Sequence, residues 1–95
     1  MKLIGKQKLF DFQQAHADAR SYIQNWIADV EGAKWATPHD LKAEYTKVSL
    51  PGNRNAVFDV CGDKYRLWVR VDYVNGIVHV KEVGTHKQYD KWSIK

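Results

Sequence analysis

Ninety-five residues, 44% of them hydrophobic and 13% aromatic, carry fifteen Lys and Arg against eleven Asp and Glu, for a net charge of +4. That length suits one domain, residues 1–95, with a thin core, and the aromatic content excludes a disordered chain. Cys61 is the single cysteine, so no intrachain disulfide can form, and a secreted domain this small without such staples is unusual. Lys6 and Lys8 interrupt the N-terminal stretch, and nothing approaches the roughly 20 apolar residues that cross a bilayer. The expected compartment is the cytoplasm, with no membrane partner.

The charge is unevenly spread. Residues 1–48 carry seven basic and six acidic side chains, whereas residues 49–95 carry eight and five. A positive C-terminal half attracts polyanions, because each phosphate neutralised by Lys or Arg releases condensed counterions.

Taken in chain order, Lys2-Leu3-Ile4 reads as extended. Leu9, Phe12 and His16 then share one side of a short amphipathic helix. Ala19, Tyr22, Ile23, Trp26, Ile27 and Val30 repeat at three- and four-residue steps, the apolar stripe of a second helix. Asp18 can cap or charge-complement its start, and Gly32 sits where a helix commonly stops. Thr37-Pro38-His39-Asp40 supplies an N-cap, a proline for the first helical position and an acidic first turn. Leu41 and Tyr45 give this third helix its buried side.

Near Ser49-Leu50-Pro51-Gly52-Asn53 the apolar period changes from helical to two. Arg54 to Val60 reads as a strand, Cys61-Gly62-Asp63-Lys64 as a turn, and Tyr65 to Tyr73 as a second strand. Asn75-Gly76 is a strong hairpin signal leading into Ile77 to Val83. Two hairpins make an antiparallel meander, to which Lys2-Leu3-Ile4 can add a strand. Helices before a run of strands predict an α+β fold, with N-terminal helices on one face of a twisted antiparallel sheet. Tyr65, Leu67, Val69, Val71 and Tyr73 point one way, and Arg66, Trp68, Arg70 and Asp72 the other. The aliphatic side belongs under the helices. The opposite side carries Arg66, Arg70, Lys81, His79 and Trp68, and is the functional candidate.

The four histidines are scattered and one cysteine cannot build a thiolate site, so neither a metal nor another cofactor is expected. Cys61, beside a turn, reads as a small packing residue. Trp26 belongs to the core, Trp35 shields the end of the second helix, and Trp92 is an anchor or a partner contact. Trp68 can stack on a base or cover an apolar gap. In Gly84-Thr85-His86-Lys87-Gln88-Tyr89-Asp90-Lys91-Trp92, a helical turn brings His86 and Tyr89 to one side, between Lys87 and Lys91. Two titratable groups among cations suit metal-free RNA cleavage, in which a 2′-hydroxyl loses a proton, a 5′-oxygen gains one and cations stabilise the phosphorane. The alternative is a turn held by Thr85 and Asp90, with both rings packed on the sheet edge.

Asn53-Arg54, Val57-Phe58-Asp59-Val60, Gly62-Asp63-Lys64-Tyr65-Arg66-Leu67 and Gly84-Thr85-His86-Lys87-Gln88-Tyr89-Asp90 resemble the HigB toxin family in order and spacing. Lys34-Trp35-Ala36-Thr37-Pro38-His39-Asp40-Leu41-Lys42 does so upstream, and the resemblance runs from near Leu3 to Trp92. It implies a RelE-like fold and a toxin that cleaves messenger RNA in the decoding site of a translating ribosome. It also implies a HigA-like helix-turn-helix antitoxin as partner. On matching positions, the catalytic candidates are His86, Tyr89, Arg66 and Lys64. Arg54, Arg70, Lys81, Lys87, Lys91 and Trp68 are the candidate RNA contacts. The chain departs from the family pattern at Asp59 and Asp63, where asparagine is common, and at Trp68, where an aliphatic is common. Two added carboxylates beside the basic face oppose its attraction for RNA. A second reading, from another class, is a non-catalytic RNA- or ribosome-binding module, a degenerate toxin.

Overall fold

The computed structural model describes residues 1–94. In chain order the elements are β1 (Lys2–Ile4), α1 (Lys6–Ala15), a 3-10 turn (Ala17–Ala19), α2 (Arg20–Gly32), α3 (Pro38–Glu44), β2 (Ser49–Gly52), β3 (Asn55–Val60), β4 (Tyr65–Asp72), β5 (Ile77–Thr85) and α4 (His86–Tyr89). The strands form one five-stranded sheet in the order β1-β5-β4-β3-β2. The fold is α+β as expected, and consistent with a RelE-like architecture. The sheet is mixed, however, because β1 joins β5 in parallel while the other pairings are antiparallel.

The central strand sets the layers. Tyr65, Leu67, Val69 and Val71 are buried under the helices, whereas Arg66, Trp68, Arg70 and Asp72 alternate onto the other face. Ile23, Trp26, Ile27 and Val30 of α2 bury the predicted stripe, and the Trp26 ring meets Phe58 edge-on at 5.4 Å. Trp35 is buried beside Tyr45, with its indole N–H donated to Glu44 (3.3 Å). Thr37 caps α3 reciprocally: its hydroxyl accepts from the Asp40 N–H (3.2 Å), and the Asp40 carboxylate accepts from the Thr37 N–H (3.2 Å).

Four local features differ from the sequence reading. Ser49–Gly52 forms a short edge strand, a position that tolerates Pro51 because one side of an edge needs no donor. Asn53 and Arg54 both have positive φ (53° and 63°), so they make the tight turn between β2 and β3, and β3 starts at Asn55. Tyr73–Gly76 is a four-residue loop rather than an Asn75-Gly76 two-residue turn, because Asp72 accepts hydrogen bonds from the Asn75 backbone (3.0 Å) and side chain (2.8 Å). Asp18 does not cap α2; its carboxylate is taken by Lys64 and Tyr65 across the fold.

Gly5 joins β1 to α1 at φ +91°, where an added Cβ would lie 3.1 Å from the Val80 carbonyl oxygen. By contrast, a Cβ on Gly32 meets nothing within 4 Å. Gly5→Ala should therefore destabilise the fold by about 1–2 kcal/mol for the left-handed backbone alone. Gly32→Ala should be neutral or stabilising by about 0.5–1 kcal/mol. Urea unfolding of both variants checks the contrast.

Candidate catalytic and nucleic-acid interface

The outer face of β4 meets the C-terminal turn at one end. Thr85 starts α4 with a capping box: its hydroxyl accepts from the Gln88 N–H (3.3 Å), and Gln88 Oε1 accepts from the Thr85 N–H (2.9 Å). The preceding Gly84 leaves room for this, since a Cβ there would sit 2.4 Å from Gln88 Oε1. The turn sets the His86 and Tyr89 rings nearly perpendicular, with centroids 6.4 Å apart. Tyr89 in turn meets Trp92 edge-on at 5.6 Å, and Trp92 leans over Trp68 at 6.2 Å. A row of four rings thus runs from the exposed His86 down to the sheet.

Arg66 is built into the same cluster. Its guanidinium carbon lies 5.6 Å from the centroid of the Tyr89 ring, within the range of a cation–π contact. Nε pairs with Asp59 at 3.2 Å, and Nη1 donates to the carbonyls of Asp63 (3.0 Å) and Tyr65 (3.2 Å). The side chain is 14% exposed, so the cation is held in a fixed direction at the surface. Trp68 spends its indole N–H on Asn55 Oδ1 (2.8 Å), while Asn55 Nδ2 donates to the Gly52 carbonyl (3.0 Å). That chain of bonds locks the Trp68 plane against the sheet.

A second group sits toward the other end of β4. Arg70 faces His79 across the ladder and donates to the Asn53 carbonyl (3.2 Å). Together with Arg54, Asp72 and Ile77 they line a recess of about 270 Å³. Four residues along an extended strand separate Arg66 from Arg70, about 13 Å. The Asp72 carboxyl is held below its usual range, chiefly by the Asn75 hydrogen bonds and also by the Arg54 charge.

The structure therefore brings His86, Tyr89, Arg66 and Trp68 together, and groups Arg54 with Arg70 farther along the same face. Lys87 and Lys91 are exposed on either side of Tyr89. Lys81 is the extra residue of a bulge, because Trp68 pairs with Glu82 and Val69 with Val80. Lys64 lies apart: Asp18, on the helical side, accepts from its ammonium group and from the Tyr65 hydroxyl (2.8 Å). The Lys64 bond, then the Tyr65 bond, hold the Asp18 carboxyl below its ordinary value, and Asp18 in turn raises Lys64 and Tyr65. Sequence reasoning left Trp92 open between anchor and partner contact; its position against Trp68 and Tyr89 makes it part of this cluster. Among the described residues, no group of three or more His, Cys, Asp or Glu side chains is placed to hold a metal ion. None of the described helices is long and apolar enough to cross a membrane.

A helix-covered sheet with a basic, aromatic outer face is the architecture of a small RelE-like toxin. A family profile described as HigB_toxin, RelE-like toxic component of a toxin-antitoxin system, matches residues 19–92. The chain belongs to this family and is the toxin of a toxin–antitoxin pair. The match takes in α2 through Trp92, and with it both groups on the outer face; β1 and α1 lie before it. No curated protein matches the chain.

The Asp18 cluster has a definite pH signature. A carboxyl whose value is lowered by folding adds stability above its unfolded value, and that stability is lost as pH falls through the folded one. Asp18→Asn should therefore destabilise the protein at about pH 6, and the difference from wild type should shrink as pH falls below the ordinary carboxylate range. Chemical unfolding of both proteins across that range measures it.

Proposed function

We propose that this toxin is a ribosome-dependent endoribonuclease that cleaves translated messenger RNA without a metal. In this reading the 2′-hydroxyl attacks the adjacent phosphorus, and the P–O5′ bond breaks. The products are a 2′,3′-cyclic phosphate and a 5′-hydroxyl. The observation that carries it is the juxtaposition of Arg66, Tyr89 and His86 on one solvent-facing surface. Arg66, with Nε and Nη1 already fixed, presents the two N–H groups of Nη2 to the developing charge of the phosphorane without reorganising. His86 takes part in moving the proton from the 2′-hydroxyl to the leaving 5′-oxygen, since an imidazole can act as acid or base. Tyr89 meets both Arg66 and His86 and so fixes the distance between them. Trp68 and Trp92 offer ring surface for a base flanking the cut, while Arg54, Arg70, Lys81, Lys87 and Lys91 hold the backbone. Lys64, engaged by Asp18, stands outside this group.

The message would be met in the decoding site of the ribosome, in the cytoplasm, and a HigA-like helix-turn-helix protein would be the antitoxin. Family membership supports both without specifying either.

Single-turnover cleavage on programmed ribosomes, run beside a binding assay, tests the assignment. His86→Ala should slow cleavage by ~10²–10⁴-fold with ribosome affinity nearly unchanged. Tyr89→Phe should be milder, and Arg66→Ala at least as severe as His86→Ala, with some loss of affinity. Cleavage by His86→Ala within about threefold of wild type, far below the acid–base range, would make His86 a packing residue. Complete absence of cleavage by the wild type, with binding retained, would leave the protein a docking module.

The face should also report itself through salt. Affinity for RNA should fall by roughly 0.7 log units per log unit of salt for each single-strand phosphate contact, and Arg70→Ala should remove about one contact from that slope. A slope unchanged by Arg70→Ala would place the backbone elsewhere.

A further inference from the structure

The cleavage chemistry makes no use of the open backbone edge of β3. β2 pairs with β3 at Gly52↔Asn55 and Ser49↔Val57 and continues no further. The Val71 N–H donates to the Arg54 carbonyl (2.8 Å), so the even-numbered positions along β3 exchange bonds with β4. Odd-numbered positions turn their amides the other way. Asn55 and Val57 find β2 there, but Asp59 has no strand opposite it, because β2 begins only at Ser49.

A groove of about 600 Å³ lies against this edge, lined by Tyr22, Glu44, Tyr45, Lys47, Asp59 and Asp63. Val48 and Phe58 add apolar surface to the same lining. Three carboxylates face one lysine, in a chain whose net charge is +4. Burial first, then the charge of Asp59, pushes Tyr22 up to about 12. Tyr45 is raised as well, by burial and by the bond it donates to Asp29 (2.5 Å). Asp59 and Asp63 both belong to this groove.

We propose that the groove receives an extended, basic segment of the antitoxin, added as a strand to the free edge of β3 at Asp59. An unpaired strand edge is a template for main-chain pairing, and the pockets beside it select the side chains. Lysine or arginine at alternate positions of the segment would meet Glu44, Asp59 and Asp63, with apolar residues between them against Tyr22, Tyr45 and Phe58. Charge decides the occupant. RNA is repelled by the three carboxylates, and a second copy paired edge to edge would bring the same acids face to face. Asp59 also holds Arg66 on the outer face, so an incoming cation competes for that carboxylate and ties the groove to the cleavage cluster. The proposal rests on the family's antitoxin partner and not on the nuclease reading, so the two can fail separately.

Amide hydrogen exchange on the free toxin and on its purified complex with its cognate antitoxin provides the test. In the free protein the Asp59 amide should exchange quickly while Phe58 and Val60, bonded to β4, are protected. In the complex Asp59 should slow to the rate of those neighbours. Asp63→Lys, at an exposed position, should weaken the complex by roughly tenfold or more through like-charge contact. A complex in which the Asp59 amide still exchanges freely overturns the proposal. So does protection of Asp59 in the toxin alone that grows with its concentration, which would make a second copy the occupant.

Discussion

β4 runs through the middle of the sheet, and its two-residue period governs both halves of the molecule. Leu67, Val69 and Val71 are fully buried on one side, so any slip of register would drive Arg66, Trp68 and Arg70 into the core. The energy that fixes the core therefore also fixes where the cations point. The bulge between β4 and β5 adds a local correction: it leaves Lys81 outside the ladder while Val80 and Val83 remain opposite Val69 and Leu67. Helices α1 and α2 close one face, and the other stays open for a ligand.

On that open face the main tension is at Arg66. Its neighbour Asp59 orients the guanidinium and also neutralises part of its charge. Free arginine would attract phosphate more strongly but would have to give up rotamer freedom on binding; the anchored one has already lost it. The stack on Tyr89 and the carbonyls of Asp63 and Tyr65 complete the anchoring. The Asp59 carboxylate thus gives position in exchange for affinity. Long-range attraction of a polyanion by Arg54, Arg70, Lys87 and Lys91 can offset that loss.

Much of this was legible in the sequence wherever the cause is local or periodic. The α2 stripe, the Thr37 cap with Pro38 behind it, and the alternation along β4 are of that kind. So is the one-turn helix that places His86 beside Tyr89. What escaped depends on partners distant in the chain. Asp18 could have capped α2, but Lys64 and Tyr65 compete for the same carboxylate and win it. Asp72 reaches around its loop to Asn75 and widens the expected hairpin. β2 carries Pro51 and Gly52, both poor strand formers, and exists because β3 offers it an edge. Trp92 gains its place in the cluster only through Trp68 and Tyr89, a contact that spacing alone does not encode. The groove beside Asp59 was invisible for the same reason, since its walls come from α2, α3 and β3 together.

The central claim is that this outer face cuts messenger RNA by attack of a 2′-hydroxyl, with side chains and no metal carrying the proton and the charge. The most direct measurement is the chemistry of the cut ends. The protein is induced in cells, and new 5′ ends are mapped on translated messages and on the same messages lacking a start codon. The account predicts new ends bearing a 5′-hydroxyl, each facing a cyclic phosphate, confined to the translated copies. Ends bearing a 5′-phosphate, or messages left intact by soluble toxin, would contradict it.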